Sequence, residues 1–239
     1  GRYSGWETAE EYLSGHVRTK LTLAQEAAKT DPEYERNVTA LLDNQPPRIG
    51  IEDIGFRVGT IYIEPEMFQD FVYETFQTPE WQRHRPNMRG YSKEITVNYS
   101  PEMNQWKVTN SSGMSDVLST ETYGTKRLNA YELTELLLNQ KRAVVNDYRE
   151  LPDGRTERVF NAKETILARE CQDKIEQAFH DWVMADKDRI QVIEDRFNAL
   201  FNNIKPRTYN GDYITIPGMN PNLTLRPHQK NVIARIAAT

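Results

Sequence analysis

Apolar residues recurring at spacings of three and four mark most of the chain as helical. Leu13, Val17, Leu21, Ala24 and Ala28 share one face over roughly residues 8–29. Thr8, with Glu11 three residues on, has the pattern of a capping box at the start of that helix. Asp31-Pro32 ends it and starts a second, whose face is Tyr34, Val38, Leu41 and Leu42 and whose stop is Pro46-Pro47. Together they predict a helical hairpin. The pattern then changes. Ile51 to Ile63 is rich in β-branched residues and Gly, which predicts a short strand near Phe56–Ile61. Pro65 opens an amphipathic helix carrying Met67, Phe68, Phe71, Val72 and Thr75 and ending near Gln77.

Alternation takes over next. Residues 93–99 and 105–109 read as two strands about the turn Ser100–Asn104, a β-hairpin. Residues 110–127 are rich in Ser, Thr and Gly and read as loop, after which Asn129 caps a helix through Leu138. Ala143–Arg149 and Thr156–Phe160 flank Pro152-Asp153-Gly154, a second hairpin signal. A long helix follows with Leu167, Cys171, Ile175, Ala178 and Trp182 inside. Asp186 caps another carrying Ile190, Ile193, Phe197, Leu200 and Ile204, and the two are expected to pack as an antiparallel αα-hairpin. Residues 205–221 form a linker rich in Pro, Gly and Asn, and the chain turns helical again after Pro227. No internal repeat is present. This order predicts an α+β fold, with helical hairpins bracketing a small, mostly antiparallel sheet.

Composition narrows the function classes. Four Trp, twelve Tyr and eight Phe in 239 residues supply bulky core material and exclude disorder throughout. Mean hydropathy is −0.75. The longest apolar runs, such as Leu136–Leu138, fall far short of the roughly 20 residues a spanning helix needs, so no membrane partner is expected and the expected location is cytoplasmic. The single cysteine, Cys171, permits no intrachain disulfide and no cysteine-based zinc site, and reads as a small buried apolar residue. Net charge is −5, so contact with nucleic acid must sit in a local patch or in a larger chain. The sequence opens on Gly1-Arg2-Tyr3 and stops at Thr239 inside a helical pattern, as expected of a piece of something longer.

The usual catalytic signatures are missing. There is no phosphate loop, no Gly-x-Gly-x-x-Gly, no His-Glu-x-x-His and no Gly-x-Ser-x-Gly. His16, His84, His180 and His228 are scattered, and none has a second His or Cys at metal-ligand spacing, so no metal site is expected. The carboxylates Asp181, Asp186, Asp188, Glu194 and Asp195 read as a solvated helix face.

Two patterns carry chemistry. The first is Leu225-Arg226-Pro227-His228-Gln229, opening the last helix. A Gln amide has one acceptor and two donors, and can pair with adenine N6–H and N7 together. The second runs from Trp81 to Lys93 and contains Arg83, Arg85, Arg89 and Lys93 and no acid, with Trp81 and Tyr91 interleaved. Arginines pair with phosphates while aromatic rings stack on unpaired bases. The competing role is a solvated loop with its two rings buried beneath it. Lys126-Arg127 and Lys141-Arg142 are further paired cations, whose competing role is to serve helix dipoles. Trp106, in a strand, reads as core.

The Leu-Arg-Pro-x-Gln string resembles the adenine-reading element ahead of the phosphate loop in superfamily-two helicases, especially Swi/Snf and type I restriction motors. Further phrases resemble one family as a set: Glu11–Leu21, Thr122–Thr125, Phe160–Thr165, Phe201–Arg207 and Pro217–Pro221. That family is the large methylase–helicase proteins of bacterial conjugative elements and phages. In it, an adenine-specific DNA methylase region precedes a Swi/Snf-like helicase. The resemblance implies a segment between methylase and motor. Residues 1–205 would be an α+β accessory domain, and 206–239 a linker and adenine-motif helix entering the helicase core. It implies ATP and S-adenosylmethionine as cofactors of the parent protein, none held by this segment alone. It implies DNA and the chain's own methylase and helicase regions as partners. Gln229, with Arg226 beside it, would face adenine, and Tyr213 upstream would cover the ring.

The expected function is a noncatalytic accessory domain that positions DNA for the motor. The alternative is a structural spacer between methylase and motor with no DNA contact of its own. A third reading is an enzyme of unrecognised type. Under the first two, the isolated chain turns over neither ATP nor S-adenosylmethionine in phosphate-release and methyl-transfer assays. ATP hydrolysis lost on a point change within these residues would establish the third.

Overall fold

The computed structural model describes residues 7–83, 94–111, 117–152, 155–220 and 223–237. The elements in chain order are α1 (Ala9–Tyr12), β1 (Gly15–His16), α2 (Val17–Ala28), α3 (Glu35–Asp43), α4 (Pro65–Thr75), β2 (Val97–Ser100) and β3 (Gln105–Val108). They continue with α5 (Ala130–Leu138), β4 (Asn146–Glu150), β5 (Thr156–Phe160), α6 (Ala162–Met184), α7 (Lys187–Phe201), β6 (Ile204–Lys205) and α8 (Pro227–Ala237). The fold is α+β. Among the described residues its sheets are three antiparallel pairs, β1–β6, β2–β3 and β4–β5. The chain divides into two units, residues 1–49 with 197–239, and residues 50–196. The boundary expected at 205/206 falls inside the first of these.

In the first unit, α2 and α3 form the expected helical hairpin around Val17, Ala24 and Leu41, with Leu13, Leu21 and Val38 packed against them. Asp31 stops one helix and starts the next by accepting from the Glu33 N–H at 3.0 Å. The helix expected over 8–29 is broken. Gly15 adopts φ +73°, a left-handed conformation that ends the first turns, and Gly15–His16 then pairs with Ile204–Lys205. Thr8 makes no side-chain cap, so the expected capping box is not formed. Leu13 still reaches the same cluster, because the break preserves the direction of the apolar face.

In the second unit, α4 buries Phe68, Phe71 and Val72 as its spacing predicts, together with Tyr73. These meet Phe179 of α6, whose ring centroid lies 5.3 Å from that of Phe68 and 5.1 Å from that of Phe71. Trp106 is buried and stands edge-on to Phe68 at 5.2 Å, a core residue as expected. Asn129 caps α5 with a complete capping box to Glu132. Three expectations fail here. Residues 56–61 form no strand. Thr60 folds back on Arg57 through its N–H and hydroxyl, making a turn that buries Val58. The supposed loop before Asn129 contains a π-helical turn, Leu118–Thr122, that buries Ser119. And α6 packs along α5 and α4, not along α7. Its buried face is correspondingly Thr165, Ala168, Cys171, Gln172, Ile175, Phe179 and Val183, which leaves Leu167 exposed.

That face explains the extended stretch 141–145, which has no strand beside it. The Ala143 N–H donates to Gln172 Oε1 at 2.9 Å and Gln172 Nε2 donates to the Lys141 carbonyl at 3.0 Å. The Val145 N–H donates to Thr165 Oγ1 at 3.0 Å, and Arg169 Nε donates to the Ala143 carbonyl at 3.0 Å. Positions 165, 169 and 172 form one stripe of the helix, which does the work of a neighbouring strand. From this root β4–β5 projects as a two-stranded ribbon whose strand positions are all at least partly exposed, Tyr148 to 71% and Phe160 to 57%.

Replacing the fully buried Gln172 by Leu, of similar volume, strands the buried Ala143 N–H and removes the donor to the part-buried Lys141 carbonyl. Each stranded group costs about 1–3 kcal/mol. Urea unfolding should show a loss in that range or above for Gln172→Leu, and less than about 0.5 kcal/mol for Gln177→Leu on the exposed side of the same helix.

Candidate functional site

The basic aromatic segment begins on a turn, Glu80–Gln82, that follows α4. Trp81 is 67% exposed there, so its ring is available to a partner. Arg83 is not. Its Nε donates to the Thr78 carbonyl at 2.8 Å, its Nη2 to the Tyr73 carbonyl at 3.3 Å, and its guanidinium lies 5.7 Å from the Tyr73 ring. Helix α4 ends with carbonyls that need donors, and a cation also suits the negative end of its dipole. Arg83 thus works as a C-terminal cap, and a bridge from Arg83 to Ile95 fixes the backbone beside it. Arg85, Arg89, Tyr91 and Lys93 lie outside the described residues. Two of the further paired cations are matched by acids: Arg127 to Asp147 and Arg142 to Asp173, both at 2.7 Å.

The adenine-type element is a helix start, as Pro227 at the first position predicts. Gln229 is the third helical residue and is exposed, like Arg226 before it. Its Oε1 accepts from the Arg226 N–H at 2.9 Å, one half of a capping box. This fixes the amide at the helix mouth. The Oε1 retains a second lone pair, and the amide NH2 has no partner among the described residues. Tyr213 is 73% exposed on a loop held against α8. The hold is close: the Gly211 N–H donates to Asn231 Oδ1 at 2.9 Å, and a side chain at 211 would run into the Lys230 carbonyl. Tyr213 lines a shallow cleft of about 430 Å³ together with Arg207, Tyr209 and Ala234 of α8. Ala234 is five residues from Gln229, about 140° around the helix. The structure therefore brings Tyr213 to α8 but onto a different face from Gln229.

Two further reactive groups, Cys171 and His180, have structural partners. Burial pushes the Cys171 thiol up, and its Sγ donates to the Gly124 carbonyl at 3.4 Å, so it is an un-ionised core residue. His180 stacks on Phe56 at 5.3 Å. Among the described residues no group of three or more His, Cys, Asp or Glu side chains is placed to hold a metal. No helix among them is long and apolar enough to cross a membrane. One cluster escaped the sequence reading. Glu74 Oε2 accepts from both Trp182 Nε1 and Arg189 Nη2 at 2.7 Å, and the Arg189 guanidinium sits 3.6 Å above the Trp182 ring. The only signal was a Trp and an Arg seven residues apart across the Asp186 cap. The cluster pins the start of α7 to α6 and α4.

Residues 57–203 match the model of a family described as a domain of unknown function (DUF8437), and the chain belongs to that family. No curated protein and no solved structure matches it. The matched stretch contains Trp81 and Arg83 and leaves out Tyr213, Arg226 and Gln229.

Splitting the basic segment tests its two roles. Arg83→Ala should lower stability by about 1–3 kcal/mol in urea unfolding, through lost charged hydrogen bonds, and leave DNA affinity unchanged. Arg85→Ala with Arg89→Ala should do the reverse. Stability should move by less than about 0.5 kcal/mol, while DNA affinity falls and its dependence on salt flattens in anisotropy titrations. An unchanged salt slope in the double variant removes the segment as a DNA contact.

Proposed function

We propose that this DUF8437 member is a noncatalytic accessory module of an ATP-dependent DNA-processing protein, one that positions DNA and contributes an adenine-reading helix start to the motor. The observation that carries this reading is the Gln229 amide. It is exposed in the first turn of α8, held in place through Oε1, and its NH2 has no partner among the described residues. An oriented carboxamide with a spare acceptor and two donors matches the N6 and N7 edge of adenine and not the corresponding edge of guanine. The sequence has no phosphate loop, so the phosphate-binding half of the site belongs to the motor region, and S-adenosylmethionine to the methylase region. Such a protein works in the cytoplasm. DNA positioning falls to the exposed Trp81 and the arginines after Arg83. The second reading, a spacer that touches no DNA, is favoured by one observation: Arg83 is spent on the carbonyls of Thr78 and Tyr73.

The test is made in the motor-containing protein with two variants. Gln229→Ala removes both the cap and the adenine contacts, whereas Gln229→Glu keeps the capping acceptor and loses the donor to N7. One or two hydrogen bonds of order 1 kcal/mol each correspond to a rise in KM for ATP of roughly 5- to 30-fold. Steady-state assays should show that rise, and weaker discrimination against GTP, in both variants. An effect confined to Gln229→Ala, or intact ATP preference in both, makes Gln229 a capping residue only.

A further inference from the structure

The cleft beside α8 holds an arginine that the rest of the first unit does not use. Arg207 Nε is buried and has no hydrogen-bond partner among the described residues. Its guanidinium carbon lies 5.0 Å from the centre of the Tyr209 ring, so the head group is oriented, and among the described residues no carboxylate pairs with it. Burying a guanidinium donor without an acceptor is costly, and the cost is recovered when an anion arrives. The rest of the lining is selective in kind. Tyr213 presents a ring that is 73% exposed, at a height fixed by the Gly211–Asn231 contact with α8. Asn210 has its oxygen engaged by the Asp212 N–H at 2.9 Å, which leaves its NH2 as a donor. Glu10 is the one acid in the lining. The volume of about 430 Å³ lies within the roughly 300–1,000 Å³ of small-ligand sites.

We propose that this cleft binds a nucleotide 5′-phosphate unit. The base stacks on Tyr213 and the phosphate pairs with Arg207. Asn210 assists as a donor. A phosphate takes the fork of an arginine in two bonds, and a base of any identity has a face for a tyrosine. A carboxylate metabolite without a ring would leave Tyr213 unused, and an uncharged aromatic would leave Arg207 unpaired. Two sources supply this chemistry: a free mononucleotide, and the 5′-phosphorylated end of a single strand. The site needs neither Gln229 nor a motor region, so this proposal and the reading above can fail independently.

The chain as it stands is titrated with two fluorescent probes, 1,N6-etheno-AMP and a 3′-fluorescein hexathymidylate carrying a 5′-phosphate. The same hexamer with a 5′-hydroxyl serves as control. At least one phosphorylated probe should half-saturate below about 1 mM, and which one does identifies the source. Tyr213→Ala should weaken that binding about tenfold, in line with about 1–3 kcal/mol per stacked base, while Tyr213→Phe binds as the parent. Arg207→Ala should weaken binding and abolish the preference for a 5′-phosphate, Arg207→Lys should keep part of it, and Gln229→Ala should change nothing. Tyr213 is exposed, so the Ala and Phe pair remains a valid comparison even where a change at Arg207 lowers the melting temperature. The proposal is overturned if neither phosphorylated probe half-saturates, if Tyr213→Ala binds like the parent, or if a folded Arg207→Ala does.

Discussion

Every buried peptide group must find a hydrogen bond, and this chain has too little sheet to supply them. Among the described residues each of its sheets has two strands, so strand edges and extended segments run against helices instead. Side-chain amides close the account. Asn139, at the end of α5, donates to the Trp106 carbonyl and accepts from its N–H, at 2.8 and 3.0 Å. In the first unit, Asn198 does the same for Ile49 at 2.9 and 3.0 Å. Each copies the pair of bonds that two facing residues exchange in an antiparallel ladder. Gln172 reaches Lys141 and Ala143 on either side of Arg142, which is the spacing of a parallel ladder. A carboxamide is the one side chain that offers an acceptor and donors in the geometry of a peptide. Helix faces thereby serve as sheet neighbours, and a few helix side chains hold β3, the segment at 141–145 and residue 49 in place.

This device marks where the sequence was legible and where it was not. Most rules that act within a few residues held. The cap at Asn129, the Pro65 start of α4, both hairpins and the Asp31 stop all come from local chemistry, whereas the equally local capping box at Thr8 is not formed. Features decided by distant partners did not. Asn198 and Gln172 look like ordinary polar helix positions until the strand-like segment that needs them is in place. The β-branched residues around Val58 suit a strand, but Thr60 closes a turn and Val58 goes inward. Gly15 reads as tolerated within a helix, and instead it breaks the helix to allow pairing with Ile204–Lys205. At the candidate sites the same division holds. The exposure of Trp81, Tyr213 and Gln229 follows from their local settings. The capture of Arg83 by two carbonyls, and the isolation of Arg207, depend on how the chain returns on itself.

The two units carry different kinds of polar chemistry. In residues 50–196, cations beside the core are mostly answered: Arg189 by Glu74, Arg127 by Asp147, Arg142 by Asp173 and Arg83 by carbonyls. Such groups shape the fold and leave little for a ligand. In the unit that holds α8, the Gln229 amide and the Arg207 guanidinium keep bonding capacity, and Tyr213 keeps an open face. The family match covers most of the saturated unit and leaves these three residues outside it.

The β4–β5 ribbon adds a constraint of another kind. A two-stranded sheet with both edges open and aromatic residues exposed is a template on which further strands can grow. Five of its ten strand residues are charged, Asp147, Arg149, Glu150, Glu157 and Arg158, and Arg149 faces Glu157 across the pair. An incoming strand would have to desolvate those charges before gaining a single backbone bond. The ribbon can therefore keep its strand positions exposed without seeding aggregation.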